Sequence, residues 1–242
     1  MSPSFALLVA DDPACFADAA ARKFIELLEA SDRPLVTLPT GLTPQGFYRA
    51  LVMNYADRRD CWEGLRFIAL DEYCGLPAND DRLFSSWLKR AVLDPLCIRN
   101  RYLFDSAADP EQEIVRMQSL LEKVGPIDIA VLGLGANGHI AFNEPGTVFS
   151  SSIHVADLAP DTIKANARYW GREDLVPPKG MTLGLSDLSG ARHTILLVTG
   201  SSKADVLKKA LQGPVTTAVP ASYLQKLTNV TVIADHAAAE LL

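Results

Sequence analysis

The chain alternates short continuous apolar runs with stretches of helical period. Runs rich in Val, Ile and Leu fall at 5–10, 35–38, 65–70, 127–134, 194–198 and 230–234. None alternates apolar with polar. Continuous runs of this length read as strands covered on both faces, the habit of parallel sheets. Between most of them lie helical patterns. Asp12-Pro13 supplies a cap and a first-turn proline, and Phe16, Ala20, Phe24, Leu27 and Leu28 follow on one face. Thr43-Pro44 opens another helix, with Phe47, Leu51 and Met53 as its apolar positions. Further helical stretches are predicted near 80–94, 110–124, 202–212 and 236–242. Alternating strands and helices predict an α/β fold: a Rossmann-like open, mainly parallel sheet with helices on both faces.

Residues 144–185 break the rhythm with Pro145, Pro160, Pro177, Pro178 and several glycines. This stretch reads as a partly helical, lid-like excursion from the sheet. No linker or repeat divides the chain. One α/β domain over 1–242 is expected, with the excursion attached and not forming a second core.

Composition narrows the classes. With 242 residues, 48% hydrophobic and 21% charged, disorder and fibrous repeats are excluded. A chain this long buries roughly 70–75% of its unfolded surface and needs no metal or disulfide to fold. The 23 basic against 29 acidic residues give a net charge of −6. That argues against a broad grip on nucleic acid or anionic lipid. It leaves room for a small anion held by a few local donors. Cys15, Cys61, Cys74 and Cys97 form no CxxC pair, so zinc ribbons and thioredoxin-like motifs are excluded. The N-terminal run has no basic region before it and stops at Asp11-Asp12, unlike a signal peptide. No apolar stretch reaches the ~18 residues of a membrane span. A cytoplasmic location is the default expectation.

In open α/β sheets ligands sit where strands end. Four such ends carry polar chemistry. In Leu38-Pro39-Thr40-Gly41-Leu42-Thr43-Pro44 a glycine lets the backbone approach a ligand, and a helix N-terminus with threonine hydroxyls suits a phosphate. The same residues also read as a tight turn with a good cap. Leu70-Asp71-Glu72-Tyr73 places two carboxylates after a buried strand. They should point differently, so at most one enters a cleft, where desolvation would suit it to act as a base. The other reading is a helix cap or a solvated turn acid. The third end, 133–146, holds Gly133, Gly135 and Gly138 in the G-x-G-x-x-G spacing, with Asp157 beyond. Dinucleotide binding would need a long helix there, and Pro145-Gly146 forbids it. His139 remains, among Asn137, Asn143 and Glu144, as an oriented proton carrier or a structural histidine. A metal site lacks a three-ligand pattern. The fourth end, Val198-Thr199-Gly200-Ser201-Ser202-Lys203, again suits an anion, or carries an ordinary surface lysine.

Taken together these segments resemble the glucosamine-6-phosphate deaminase family, itself related to the 6-phosphogluconolactonases. The resemblance runs from about Phe5 to about Ala234. It is strongest over 135–146, where Asn-Gly-His-Ile-Ala-Phe-Asn-Glu-Pro-Gly stands. Phe142-Asn143-Glu144-Pro145 points to the deaminase branch, because a lactonase typically reads Ser-Leu-Phe-Pro there. The resemblance implies an isomerising deamination of D-glucosamine 6-phosphate to D-fructose 6-phosphate and ammonia, without metal or organic cofactor. It implies Asp71 as the C2 base, and His139 as the ring-opening proton shuttle tuned by Glu144. The phosphate would rest on Thr40, Gly41, Leu42 and Thr43, with Arg168 and Lys203 as charged partners. Arg168 lies in Ala165-Asn166-Ala167-Arg168, similar to the family's phosphate-binding segment.

Two departures stand out. Many members have an aspartate where this chain has Asn137, so His139 has Glu144 alone among carboxylates. Allosteric hexameric members carry an Arg and a Lys where this chain has His154 and Ala156. Without those cations an N-acetylglucosamine 6-phosphate activator loses its main attraction. A non-allosteric monomer or weak oligomer is expected.

Overall fold

A computed structural model describes residues 5–242; Met1 to Ser4 lie outside the described residues. The strands are β1 (Phe5–Ala10), β2 (Leu35–Thr37), β3 (Arg66–Ile68), β4 (Asp71–Tyr73), β5 (Asn100–Tyr102), β6 (Ile129–Gly133), β7 (His154–Asp157), β8 (Lys179–Thr182), β9 (His193–Val198) and β10 (Val230–Asp235). The α-helices are α1 (Pro13–Glu29), α2 (Pro44–Tyr55), α3 (Arg59–Glu63), α4 (Phe84–Leu88), α5 (Pro110–Val124), α6 (Pro160–Trp170), α7 (Leu185–Ser189), α8 (Ala204–Gln212) and α9 (His236–Ala239). None is long and apolar enough to cross a membrane.

All the predicted runs contain strands. One sheet has the order β1-β10-β9-β6-β2-β3-β5, and each neighbouring pair is parallel. The chain lays β2, β3 and β5 toward one edge, then returns beside β2 with β6 and builds β9 and β10 toward the other. Loops after β2 and β6 therefore diverge and open a crevice between them. Leu35, Val36, Ile129, Ala130, Val131, Leu196, Val232 and Ile233 are fully buried, as continuous apolar strands should be. β1 departs from this. It is an edge strand, and its Leu7, Leu8 and Val9 stay exposed.

α1 follows the predicted design. The Asp12 carboxylate accepts hydrogen bonds from the Ala14 and Cys15 amides at 2.8 Å, satisfying free donors of the first turn. Phe16, Ala20, Phe24, Leu27 and Leu28 are buried, and Phe24 meets Phe47 of α2 edge to face, with centroids 5.5 Å apart. Truncating a ring so placed costs roughly 3–5 kcal/mol. Met53 departs from the predicted stripe and is 81% exposed. It sits two positions past the buried Leu51, about 200° round the helix, on the solvent face.

The sequence also hid a second sheet. The run at 65–70 leaves the main sheet after Ile68, and Asp71 begins β4. β4 pairs antiparallel with β8, which pairs antiparallel with β7. β7 and β8 come from the 144–185 excursion and flank α6, so the excursion is half sheet. It also has a small apolar cluster outside the main core, formed by Tyr73, Phe142, Ala156, Leu158, Trp170 and Val176. Tyr73 and Phe142 lie outside 144–185, so the cluster seams the excursion to the chain before it. Its rings come from distant segments, so no local pattern announces them. β5 and β7, with Asn100-Arg101-Tyr102 and His154-Val155-Ala156-Asp157, carry no apolar run to find.

Candidate active site

Several chain segments reach the crevice. After β2, Gly41 turns with φ +108°, a conformation that favours glycine, although a Cβ there would meet nothing. Tyr48, fully buried on α2, donates its hydroxyl hydrogen bond to the Pro39 carbonyl at 2.6 Å and pins the loop. Thr43 precedes α2 but makes no side-chain cap. Its backbone is already helical (φ −56°, ψ −46°), so the hydroxyl cannot reach the next amides. It lies 3.1 Å from the Thr199 hydroxyl instead, joining the loops after β2 and β9.

Asp71 and Glu72 divide the two readings of the acidic pair. Asp71 is buried and lines the cleft. Burial, then the Glu72 charge, pushes its carboxyl well above the usual aspartate range. Glu72 turns away. It accepts the Tyr73 amide at 3.0 Å and the Phe84 and Ser85 amides, each at 2.9 Å, at the N-terminus of α4. Burial raises its carboxyl too, against those donors.

The glycine-rich loop after β6 makes no helix over 134–152, so the dinucleotide pattern lacks the element it requires. Asp157 is exposed and faces Lys179 at 3.5 Å. The loop's product is His139. Its ring lies against Gly135, where a Cβ would come within 2.4 Å of three ring atoms. His139 Nδ1 is 3.4 Å from Glu144 Oε2 and 3.2 Å from the Thr162 hydroxyl of α6. Asn137 stands behind the ring. Its Nδ2 donates to Glu144 Oε2 at 2.9 Å, while its Oδ1 accepts the His139 amide at 3.1 Å. Glu144 Oε1 accepts the Ala159 amide at 3.2 Å. Burial works to raise the Glu144 carboxyl. The hydrogen bond and charge of His139, with donors Thr162 and Asn137, outweigh it and hold it at about 2.

Lys203 and Arg168 face the other end. Lys203 Nζ donates to the Leu134 carbonyl at 2.8 Å. Burial lowers its pKa, and so does the charge of Arg168. Arg168, in the last turn of α6, lies over the Tyr169 ring with its guanidinium carbon 5.0 Å from the centroid. Among the described residues neither cation has a carboxylate within 4.0 Å. Two close, unneutralised cations beside backbone donors attract an anion.

Thr40, Gly41, Leu42, Thr43, Asp71, His139, Arg168 and Lys203 thus line one cleft of about 390 Å³. Asn137 and Glu144 lie outside its wall, behind His139. Sequence reasoning missed Thr162 and Tyr169, which share the lining, and gave Asn166, Thr199 and Ser202 only as members of their segments. Thr162, Asn166 and Tyr169 share the helix of Arg168. Their i, i+4, i+7 spacing puts them on one face of that helix.

A model of the family described as glucosamine-6-phosphate isomerases/6-phosphogluconolactonase matches residues 11–233. The chain belongs to this family. Among family members, a protein of Shouchella clausii named glucosamine-6-phosphate deaminase is 38% identical over 225 residues, covering 92% of this chain and 91% of the relative. One of Lactobacillus delbrueckii subsp. bulgaricus with the same name is 41% identical over 206 residues, covering 85% and 86%. The solved structure of a monomeric glucosamine-6-phosphate deaminase superposes with a TM-score of 0.94 at 32% identity, covering 98% of this chain and all of that one. The 6-phosphogluconolactonase of Trypanosoma brucei, 23% identical, shares the fold with a TM-score of 0.82, covering the whole of both chains.

Proposed function

We propose that the chain converts D-glucosamine 6-phosphate to D-fructose 6-phosphate and ammonia. The observation that carries this reading is the lining of one cleft by a buried carboxylate, a histidine backed by a carboxylate, and two unneutralised cations. The phosphate rests on the 40–43 backbone, Arg168 and Lys203. His139 takes the proton from the anomeric hydroxyl and gives it to the ring oxygen, opening the sugar. Asp71 then lifts the C2 proton to form an enolamine. Return of that proton to C1 gives the C2 imine, and water adds to it to release ammonia. A base with a raised pKa suits abstraction of a carbon-bound proton. Asn137 and Glu144 hold and polarise His139 without touching substrate.

We read the 242 residues as one working unit, because β4 belongs to the excursion's sheet and its Asp71 lines the cleft. We also infer a cytoplasmic, non-allosteric monomer or weak oligomer. At the two positions where allosteric members carry cations, His154 Nδ1 lies 2.9 Å from the Ser152 carbonyl and Ala156 is buried. Light scattering and rate curves with N-acetylglucosamine 6-phosphate test this; a sigmoidal curve abolished by that compound overturns it. The function itself is tested by ammonia release from glucosamine 6-phosphate, set beside hydrolysis of 6-phosphogluconolactone. Lactone hydrolysis without ammonia release would transfer the chain to the lactonase branch.

A further inference from the structure

β9 and β10 are parallel neighbours, and their register sets Ala234 beside Val198. β9 stops at Val198, while β10 runs on to Asp235. The Asp235 side chain therefore meets the turn by which the chain leaves β9. Its two carboxylate oxygens accept the Gly200 amide at 3.0 and 2.9 Å. Oδ1 also accepts the Ala238 amide at 2.7 Å and so caps α9. Gly200 turns with φ +91°, a conformation that favours glycine. Its carbonyl accepts the Lys203 amide at 3.0 Å. The turn is thus held on its amide side by Asp235 and on its carbonyl side by Lys203. Ser201 opens a 3₁₀ turn that runs into α8, and the amides of such a first turn have no acceptor within the helix. Ser202 and Lys203 line the cleft, and Asp235 lies outside its wall.

We propose that Asp235 is a positioning residue that clamps the Gly200 turn from behind and so sets Ser202 and Lys203 against the substrate phosphate. The direction of the clamp matters. An amide bound by a carboxylate outside the cleft is turned away from an anion inside it. Gly200 N–H is taken by Asp235, and the first-turn amides that follow are left for the phosphate. The clamp reaches the other phosphate loop as well. The hydroxyls of Thr199 and Thr43 lie 3.1 Å apart, which ties the turn to the loop after β2. Lys203 Nζ ties it to the Leu134 carbonyl at the end of the β6 run. Asp235 touches neither substrate nor the Asp71 and His139 side chains, so its loss falls on holding the phosphate and not on proton transfer.

The proposal rests on the deaminase reading for the identity of the substrate, and its test separates the two. Serine caps a helix as well as aspartate does. Its hydroxyl is one bond shorter and offers a single oxygen. Asp235→Ser therefore keeps the cap of α9 and gives up the two-oxygen hold on Gly200. It should raise KM for glucosamine 6-phosphate about 10-fold with kcat within about 3-fold of the parent, because the phosphate is held alike in ground and transition states. Asp235→Ala gives up the cap too, so it should raise KM by a similar factor and melt below Asp235→Ser. Phosphorus-31 NMR titration with inorganic phosphate needs no turnover. The phosphate Kd should rise at least about 5-fold in Asp235→Ser. A KM like the parent's in Asp235→Ser, a loss confined to kcat, or an unchanged phosphate Kd overturns the clamp, and so does a parent chain that binds no phosphate. A parent that binds phosphate yet releases no ammonia sinks the deaminase reading and leaves the titration to judge the clamp.

Discussion

The Asn137 amide donates to the same Glu144 oxygen that lies 3.4 Å from His139 Nδ1, so amide and imidazole converge on one carboxylate oxygen. An aspartate at 137 would bring a second carboxylate to hydrogen-bonding distance. Two carboxylates this close cannot both ionise freely, and the pair acquires a raised pKa. A folded-state pKa above the unfolded value costs stability where the group is ionised, and the cost vanishes as pH falls. Asn137→Asp should therefore melt below the parent at about pH 8 and approach it as pH falls toward about 5, where the raised carboxyl takes up a proton. Thermal melts across that range check this; a variant that melts with the parent at both ends would contradict the geometry.

Asp71 gives a prediction of opposite sign for stability and activity. Its carboxyl is raised well above the usual range by burial and by Glu72. Its ionised form therefore weighs against folding at neutral pH, and the burden lifts as pH falls through the raised value. Asp71→Asn should raise Tm at pH 7, by roughly 2–4 °C for each kcal/mol relieved in a chain of this size. The gain should close below about pH 4, where the parent's carboxyl is protonated in both states. The same variant should lose roughly 10²–10⁴ in kcat, the range for a general base. The parent's acid limb in kcat/KM should stand above the ordinary aspartate pKa, because protonating Asp71 would remove the proposed base.

Gly135 is required for room. Its ideal Cβ would fall 2.4 Å from three atoms of the His139 ring. The ring would have to move away, and a displacement of about 1 Å at a catalytic group can cost about 10² in rate. Gly135→Ala should stay folded and lose about that much kcat. Unchanged turnover would mean that His139 works from another position.

Much of this site was legible because its chemistry sits directly after apolar runs. Asp71, His139 and Lys203 each follow a strand or a predicted run by a few residues, and a parallel sheet gathers such ends on one side. What escaped came through space. Glu72 is indistinguishable from Asp71 in sequence; only α4, arriving from residues 84–88, shows which acid serves a helix and which the cleft. Thr162 reads as an unremarked first-turn hydroxyl until α6 folds across the 139 loop. β4, β7 and β8 have no hydrophobic signature, since β4 is the acidic Asp71-Glu72-Tyr73 and β7 carries His154 and Asp157. The glycine spacing at 133–138 shows the reverse error. It satisfies a known pattern, yet it is used to seat a histidine ring, with no helix behind it.

The two cations should separate phosphate recognition from chemistry. Lys203 is half-buried and bonded to the Leu134 carbonyl, and Arg168 depresses its pKa after burial does. Each raises the cost of holding the other charged, a cost that a bound dianion reverses. Hydrogen bonds to charged groups contribute about 1.5–3 kcal/mol, or roughly 10–100-fold. Arg168→Ala and Lys203→Ala should each raise KM for glucosamine 6-phosphate by about that factor, with smaller effects on kcat. Unphosphorylated glucosamine, which offers no dianion, should be turned over equally slowly by parent and variants. The double variant should lose less than the sum of the single losses in free energy, because removing one cation relieves the repulsion felt by the other. Steady-state kinetics on both substrates decide this. A loss in kcat of the same size on glucosamine would mean that the cations act on the reacting atoms and not on the phosphate.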